Sequence, residues 1–244
     1  MSEARARVGV RAVRIRPVGL LGLAAAGLVL SGCGTSTGIH PGSAAVVGDR
    51  TLSMTRVDTT TTRYCEAYKP QISQQSQRVP MRYLRQFVAA NLSQRLLGQQ
   101  LAEAYDVQPT AEYTRQVDKV EQPFASAPSR LRDAVVDVEA GSTYLAAVQT
   151  AIGEKLLAES GTPAADAKAA AQRGQVATQD WLKTHAIDID PVFGIAADGG
   201  RFQAAPDQTS YPLSTLASQG AAPVSGAQPD PAYTSALSSS QVCG

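Results

Sequence analysis

A mainly α-helical domain, with a small β-sheet formed by an N-terminal hairpin and late strands, is what this sequence predicts. Three patterns lead there. Apolar residues recur at helical spacing in two long stretches, Leu84, Val88, Leu92 and Leu96 in one and Leu145, Val148, Ile152 and Leu156 in the other. Ala44-Ala45-Val46-Val47 runs into Gly48-Asp49, a pair that tolerates positive φ, and then into Thr51-Leu52. After residue 186 the apolar period falls from 3.6 to 2. Aromatic residues make up only 5% of the chain, which suits helices joined by modest cores.

The first segment reads as an address rather than as structure. Arg5, Arg7, Arg11, Arg14 and Arg16 form a basic stretch, and the 13 residues 18–30 form an apolar one. Thirteen residues are too few to span a hydrocarbon core of about 30 Å comfortably. Leu30-Ser31-Gly32-Cys33 then supplies the pattern of a bacterial lipoprotein signal. Small residues at Ser31 and Gly32 let a peptidase take the backbone in extended form, cutting between Gly32 and Cys33. The Cys33 thiol would accept a diacylglyceryl group. An ordinary signal peptide with an incidental cysteine and an uncleaved anchor are the competing readings. The lipoprotein reading divides the chain into a signal (1–32), a tether (33–43), a helical domain (44–203) and a Pro/Ser/Ala-rich tail (204–244). It places the mature chain on the extracytoplasmic face of the cell membrane, held there by the lipid.

Within the domain, Ser53 reads as the N-cap of a helix from Met54 to about Lys69, weakened locally by the β-branched run 59–62. Residues 71–77 read as a polar linker. Pro80 opens the strongest helix, which runs to Tyr105. Pro109 and Thr110 open a third that ends before Pro123. Ser129 reads as the cap of a fourth, with Leu131, Val135 and Val138 on one face, and Gly141 interrupts it. The fifth carries Leu145 to Leu156 and stops at Gly161-Thr162-Pro163. The sixth covers 164–185, with Val176 and Trp181 inward. Ile187, Ile189, Val192, Phe193 and Ile195 follow in extended chain, with a turn at Asp198-Gly199-Gly200 and Phe202 beyond it. From Ala204 onward the composition predicts order only where the chain docks.

Charge and chemistry narrow the function classes. Residues 1–32 hold five Arg and one Glu, which leaves 17 basic and 20 acidic residues in 33–244, a net of −3. A mildly acidic chain without a basic stripe disfavours nucleic acid. With Cys33 acylated, Cys65 and Cys243 remain in a compartment where disulfides persist, so they read as one bond, two free thiols being the alternative. Closing so long a loop is worth about 5 kcal/mol at most. Of the two histidines, His40 falls in the tether and His185 at a helix C-terminus, where the dipole favours a cation. Asp188 and Asp190 flank a strand residue and point to one side; such a pair suits acid–base work or calcium, but solvated strand edges and turns explain it more simply. No zinc spacing, GxSxG elbow or phosphate-binding glycine loop occurs. The chain therefore reads as a non-enzyme with no metal and no cofactor.

Ala45-Val46-Val47-Gly48-Asp49-Arg50-Thr51-Leu52-Ser53 resembles the entry to SurA-type N-terminal domains. Residues 177–182 and 188–194, and the ending Gln241-Val242-Cys243-Gly244, are similar to segments of actinobacterial SurA-like lipoproteins. The likeness spans roughly 44–200. It implies a short hairpin feeding a bundle, a late helix packed back on the first, and extracytoplasmic chaperone work on secreted chains. Parvulin-type isomerase domains of that family need roughly ninety further residues, for which there is no room between Leu101 and Ala164, so prolyl isomerase activity is not expected. A holdase of this kind predicts an exposed apolar cleft near Met81, Tyr83 and Phe87, although Phe87 also lies close to the core stripe. An adaptor lipoprotein that recruits one envelope protein predicts a discrete patch instead.

Overall fold

The computed structural model describes residues 41–162, 166–205, 211–221 and 230–244. The signal, the Gly32–Cys33 cleavage and lipidation site, most of the tether and His40 lie outside them. The described chain runs β1 (Ser43–Val47), β2 (Arg50–Ser53), α1 (Met54–Gln74), β3 (Val79–Pro80), α2 (Met81–Tyr105), α3 (Ala111–Glu121), α4 (Ser129–Glu139), α5 (Gly141–Glu159), α6 (Ala167–Leu182), β4 (Ile187–Ile189), β5 (Ile195–Asp198), β6 (Arg201–Ala204), α7 (Thr215–Ala221), α8 (Pro231–Ala236) and β7 (Val242–Cys243). It is mainly helical with small antiparallel sheets.

The expected hairpin and late strand meet in one sheet of order β2-β1-β4. β1 lies in the middle because Ala44, Ala45 and Val47 are buried while β2 is exposed except at Leu52. Gly48 takes φ +58° in the turn, where a Cβ would meet the Trp181 ring at 2.9 Å. The other late strands do not join this sheet. β5 and β6 form their own hairpin across Gly199 and Gly200, both at positive φ. A third pairing joins β3 to β7.

α2 is the spine. Its Val88 and Leu92 enter a core shared with Val57, Tyr64, Leu131, Val135, Val138 and Phe193. Its Leu97 and Leu101 enter a second core with Val47, Leu145, Val148, Ile152, Ala177 and Trp181. α5 and α6 approach backbone to backbone: a Cβ on Gly153 would sit 1.8 Å from the Ala170 carbonyl oxygen, and one on Gly174 would sit 1.7 Å from that of Gln149. This crossing explains the alanine-rich composition of α6, since only small side chains fit the seam.

Several expected boundaries move. α1 passes through Pro70 and absorbs most of the expected linker. Its last turn is held by β7, with Gly244 lying against Ile72 and the backbone at Gln77. α1 runs unbroken through the threonine run, where Thr61 and Thr62 donate to the Val57 and Asp58 carbonyls at 2.8 and 3.0 Å, bonds that compete with the backbone ladder. Pro80 belongs to β3, one residue before α2, and Ser129 is the first residue of α4 rather than its cap. α6 starts after an Asp166 cap and ends at Leu182. Its seam is Ala170, Gly174, Ala177 and Trp181, so Val176 turns outward, 47% exposed, against expectation. This late helix packs along α5, not along α1 as the resemblance implies.

Candidate functional site

Two faces of α2 diverge by one residue. The leucine stripe goes to the core, and the neighbouring stripe of Tyr83, Gln86, Phe87, Ala90, Asn91 and Gln94 forms one wall of an open cleft of about 450 Å³. The opposite wall is the β5–β6 hairpin, through Ile195, Phe202, Gln203 and Ala204, and Ser142 at the start of α5 closes one end. None of these lining residues is charged. Phe87 remains 41% exposed there although it is a large aromatic residue.

One polar clamp joins the two walls, and further contacts order α2 around it. Buried Gln86 donates from Nε2 to the Gly194 carbonyl at 2.6 Å, fixing the base of the hairpin against α2. Asn91 donates from Nδ2 to the Phe87 carbonyl at 2.9 Å. The Asn91 carbonyl lies where a Cβ on Gly141 would approach to 2.5 Å, so α5 starts hard against α2. Arg85 places its guanidinium 5.5 Å from the centre of the Phe193 ring. Behind Phe87, its ring lies 6.0 Å from that of Tyr64. Tyr64 donates to the Glu139 carboxylate, which also accepts from Tyr68 at 3.2 Å. Burial, reinforced by Glu139, pushes the Tyr64 hydroxyl far above the usual phenol range, and the same causes take Tyr68 to about 12. Tyr83 is raised chiefly by burial and stacks on Tyr233 of α8 at 6.4 Å. The cleft itself presents the phenol of Tyr83, the amides of Gln86, Asn91, Gln94 and Gln203, and the rings of Phe87 and Phe202. Rings accept apolar side chains, and amides pair with the backbone of an extended segment.

Of the residues singled out from sequence, Tyr83 and Phe87 come together in this cleft. Met81 is half-buried and lines none of it. Cys65 and Cys243 are disulfide-bonded, with Cα atoms 5.8 Å apart across 178 residues, tying β7 to α1. His185 stacks on Trp181 with ring centres 3.9 Å apart, and its Nδ1 lies 2.9 Å from the Trp181 carbonyl, a helix-end packing role. Asp190 accepts from the Val192 amide and shapes the turn between β4 and β5. Among the described residues no three His, Cys, Asp or Glu side chains cluster as metal ligands, and no helix is long and apolar enough to cross a membrane. A second hollow of about 410 Å³ between α3 and α5 is partly lined by Glu112 and Arg115, which pair with each other at 2.6 Å.

The hairpin wall was missed in the sequence because Ile195 and Phe202 read only as strand residues. The amide–aromatic stripe of α2 had a visible signal: i, i+3, i+4 spacing one position from the leucines. No family model matches this chain, and neither the curated proteins nor the solved structures contain a match to it.

Proposed function

We propose that this protein is a lipid-anchored extracytoplasmic factor that captures short apolar segments of secreted or envelope polypeptides, a chaperone-like role without isomerase chemistry. The observation that carries the reading is the uncharged cleft between α2 and the β5–β6 hairpin, with Phe87 exposed in it. The Leu30-Ser31-Gly32-Cys33 pattern supports the anchor, and the SurA-like entry motif supports the class of work. Two experiments test it. Cys33→Ala in cells is expected to release the protein from the membrane fraction; unchanged membrane attachment and mobility would end the lipoprotein reading. The full chain in detergent is expected to suppress aggregation of two unrelated unfolded clients, and Phe87→Gln to remove most of that effect.

The cleft's size favours a second reading. About 450 Å³ admits two or three side chains, which suits one defined segment of a single partner as well as many clients. An adaptor would leave both clients to aggregate while retaining one envelope protein through a Phe87-dependent contact.

A further inference from the structure

Two of the most exposed large apolar side chains among the described residues lie close together in one segment. Tyr211 is 91% and Leu213 96% exposed, with Pro212 between them. The ends of this segment flank the cleft. On one side it leaves Ala204, a lining residue, through Ala205, whose amide donates to the Gly194 carbonyl at 2.8 Å. On the other it enters α7, where a Cβ on Gly220 would lie 3.2 Å from the Tyr233 hydroxyl. Tyr233 in turn stacks on Tyr83, the lining residue at the start of the α2 stripe. Five residues lie between Ala205 and Tyr211, six steps that reach roughly 20 Å when extended. Beyond α8, the β3–β7 pairing and the Cys65–Cys243 disulfide secure the far end of the chain to the same body.

We propose that Tyr211-Pro212-Leu213 is a built-in occupant of the cleft, with Tyr211 and Leu213 seated against Phe87 and Phe202, and that clients bind by displacing it. This rests on the reading of the cleft as a polypeptide site. Four features match. The occupant is uncharged at its contact residues, as the walls are. Proline holds the residue before it extended, so Tyr211 is presented without a helical turn. Gln94 and Gln203 line the cleft and offer amides that can pair with an extended backbone. The short connections at both ends keep the segment near the cleft at a concentration on the order of millimolar. A segment whose own dissociation constant is about 0.1–1 mM then occupies the cleft in roughly half to nine-tenths of molecules, and weakens competing ligands about 2- to 10-fold. The exposed position of Tyr211 and Leu213 is the displaced state.

The test uses the full chain in detergent and a fluorescein-labelled synthetic peptide of residues 209–215. The peptide is expected to bind Tyr211→Ser/Leu213→Ser about 2- to 10-fold more tightly than the unaltered chain. Adding Phe87→Gln to that double variant should weaken it at least tenfold. Both substituted tail residues are solvent-exposed, so folding is not at stake. Equal affinity for the two chains, or no Phe87-dependent binding to the double variant, overturns the occupant. Binding of an unfolded client, measured in parallel, separates the two ideas. Phe87-dependent client binding without a tail effect leaves the cleft reading standing alone. A tail effect on the peptide without client binding keeps the occupant and removes the client reading.

Discussion

Replacing Gly174 by alanine should unfold this protein more easily, although alanine is the better helix former. The added Cβ would lie 1.7 Å from the Gln149 carbonyl oxygen, 2.5 Å from its carbonyl carbon and 3.0 Å from its Cα. All three are backbone atoms inside α5, so no side-chain rotation relieves the overlap. Contact distance is about 3.5 Å, and α5 and α6 must therefore separate by more than 1 Å. A gap of that order forfeits up to about half of each dispersion well across the seam, where Val148, Ile152, Ala177 and Trp181 are buried. Overpacking of flexible cores costs about 1–3 kcal/mol, and a rigid backbone puts this site at or above the upper end. Helix propensity returns about 1 kcal/mol, leaving a net loss of at least about 2 kcal/mol. The assay is urea unfolding, read as a lower midpoint at unchanged slope, with a fall in Tm of about 4–8 °C. Gly153→Ala, 1.8 Å from the Ala170 oxygen, should cost a similar amount. The pair should cost less than the sum, because the first substitution already parts the helices. Stability equal to or above that of the unaltered protein would refute the close crossing.

Other expectations follow from single contacts. Folding holds the Tyr64 hydroxyl protonated beyond the range in which a free phenol ionises, near pH 10. The unfolded chain therefore gives up a proton first, and stability present below pH 10 should fall above it by about 1.4 kcal/mol per pH unit. Tyr64→Phe should flatten that slope in alkaline urea titrations. Cys65→Ser/Cys243→Ser should lower stability by about 2–5 kcal/mol and raise amide exchange in residues 230–244, measured by mass spectrometry; unchanged exchange would show that β7 docks without its bond. Gln86→Leu removes one of the two donors to the buried Gly194 carbonyl, leaving the Ala205 amide, and should cost about 0.5–1.5 kcal/mol. It should also weaken ligand binding in the cleft, because the hairpin wall loses its clamp.

The helical body was legible because helix periodicity is local. Leu84 to Leu96 and Leu145 to Ile152 each sit within one element, and turn chemistry at Gly48-Asp49 and Gly199-Gly200 needs only neighbouring residues. What was illegible depends on partners far along the chain. Pro70 reads as a helix end, yet β7 arrives from residue 242 to hold the last turn. Val176 reads as core, yet the Gly174 seam rotates it outward. The cleft combined both kinds of evidence: the stripe position of Phe87 and Tyr83 favoured the core over a cleft lining, and their exposure depends on an opposite wall, a hairpin more than a hundred residues later.

That separation has a consequence for when the site exists. The sheet needs residues 43–53 and 187–189 together, and the cleft needs α2 to meet β5 and β6 through a bond spanning 108 residues. Neither wall encloses the cleft by itself, since α2 alone presents an amphipathic stripe and the hairpin only four strand residues a side. Contacts of such span form late, after the local helices have paid their loop-closure entropy. The disulfide, spanning 178 residues, closes on the same late structure. A chain still folding therefore carries no assembled cleft, and its own apolar segments have nothing on the same molecule to enter. Once the cleft forms, Gln86 clamps the hairpin wall to α2, and Phe87 lines the space between them. A cleft built this way exists only on the finished protein, the order of events that the proposed capture of other chains would require.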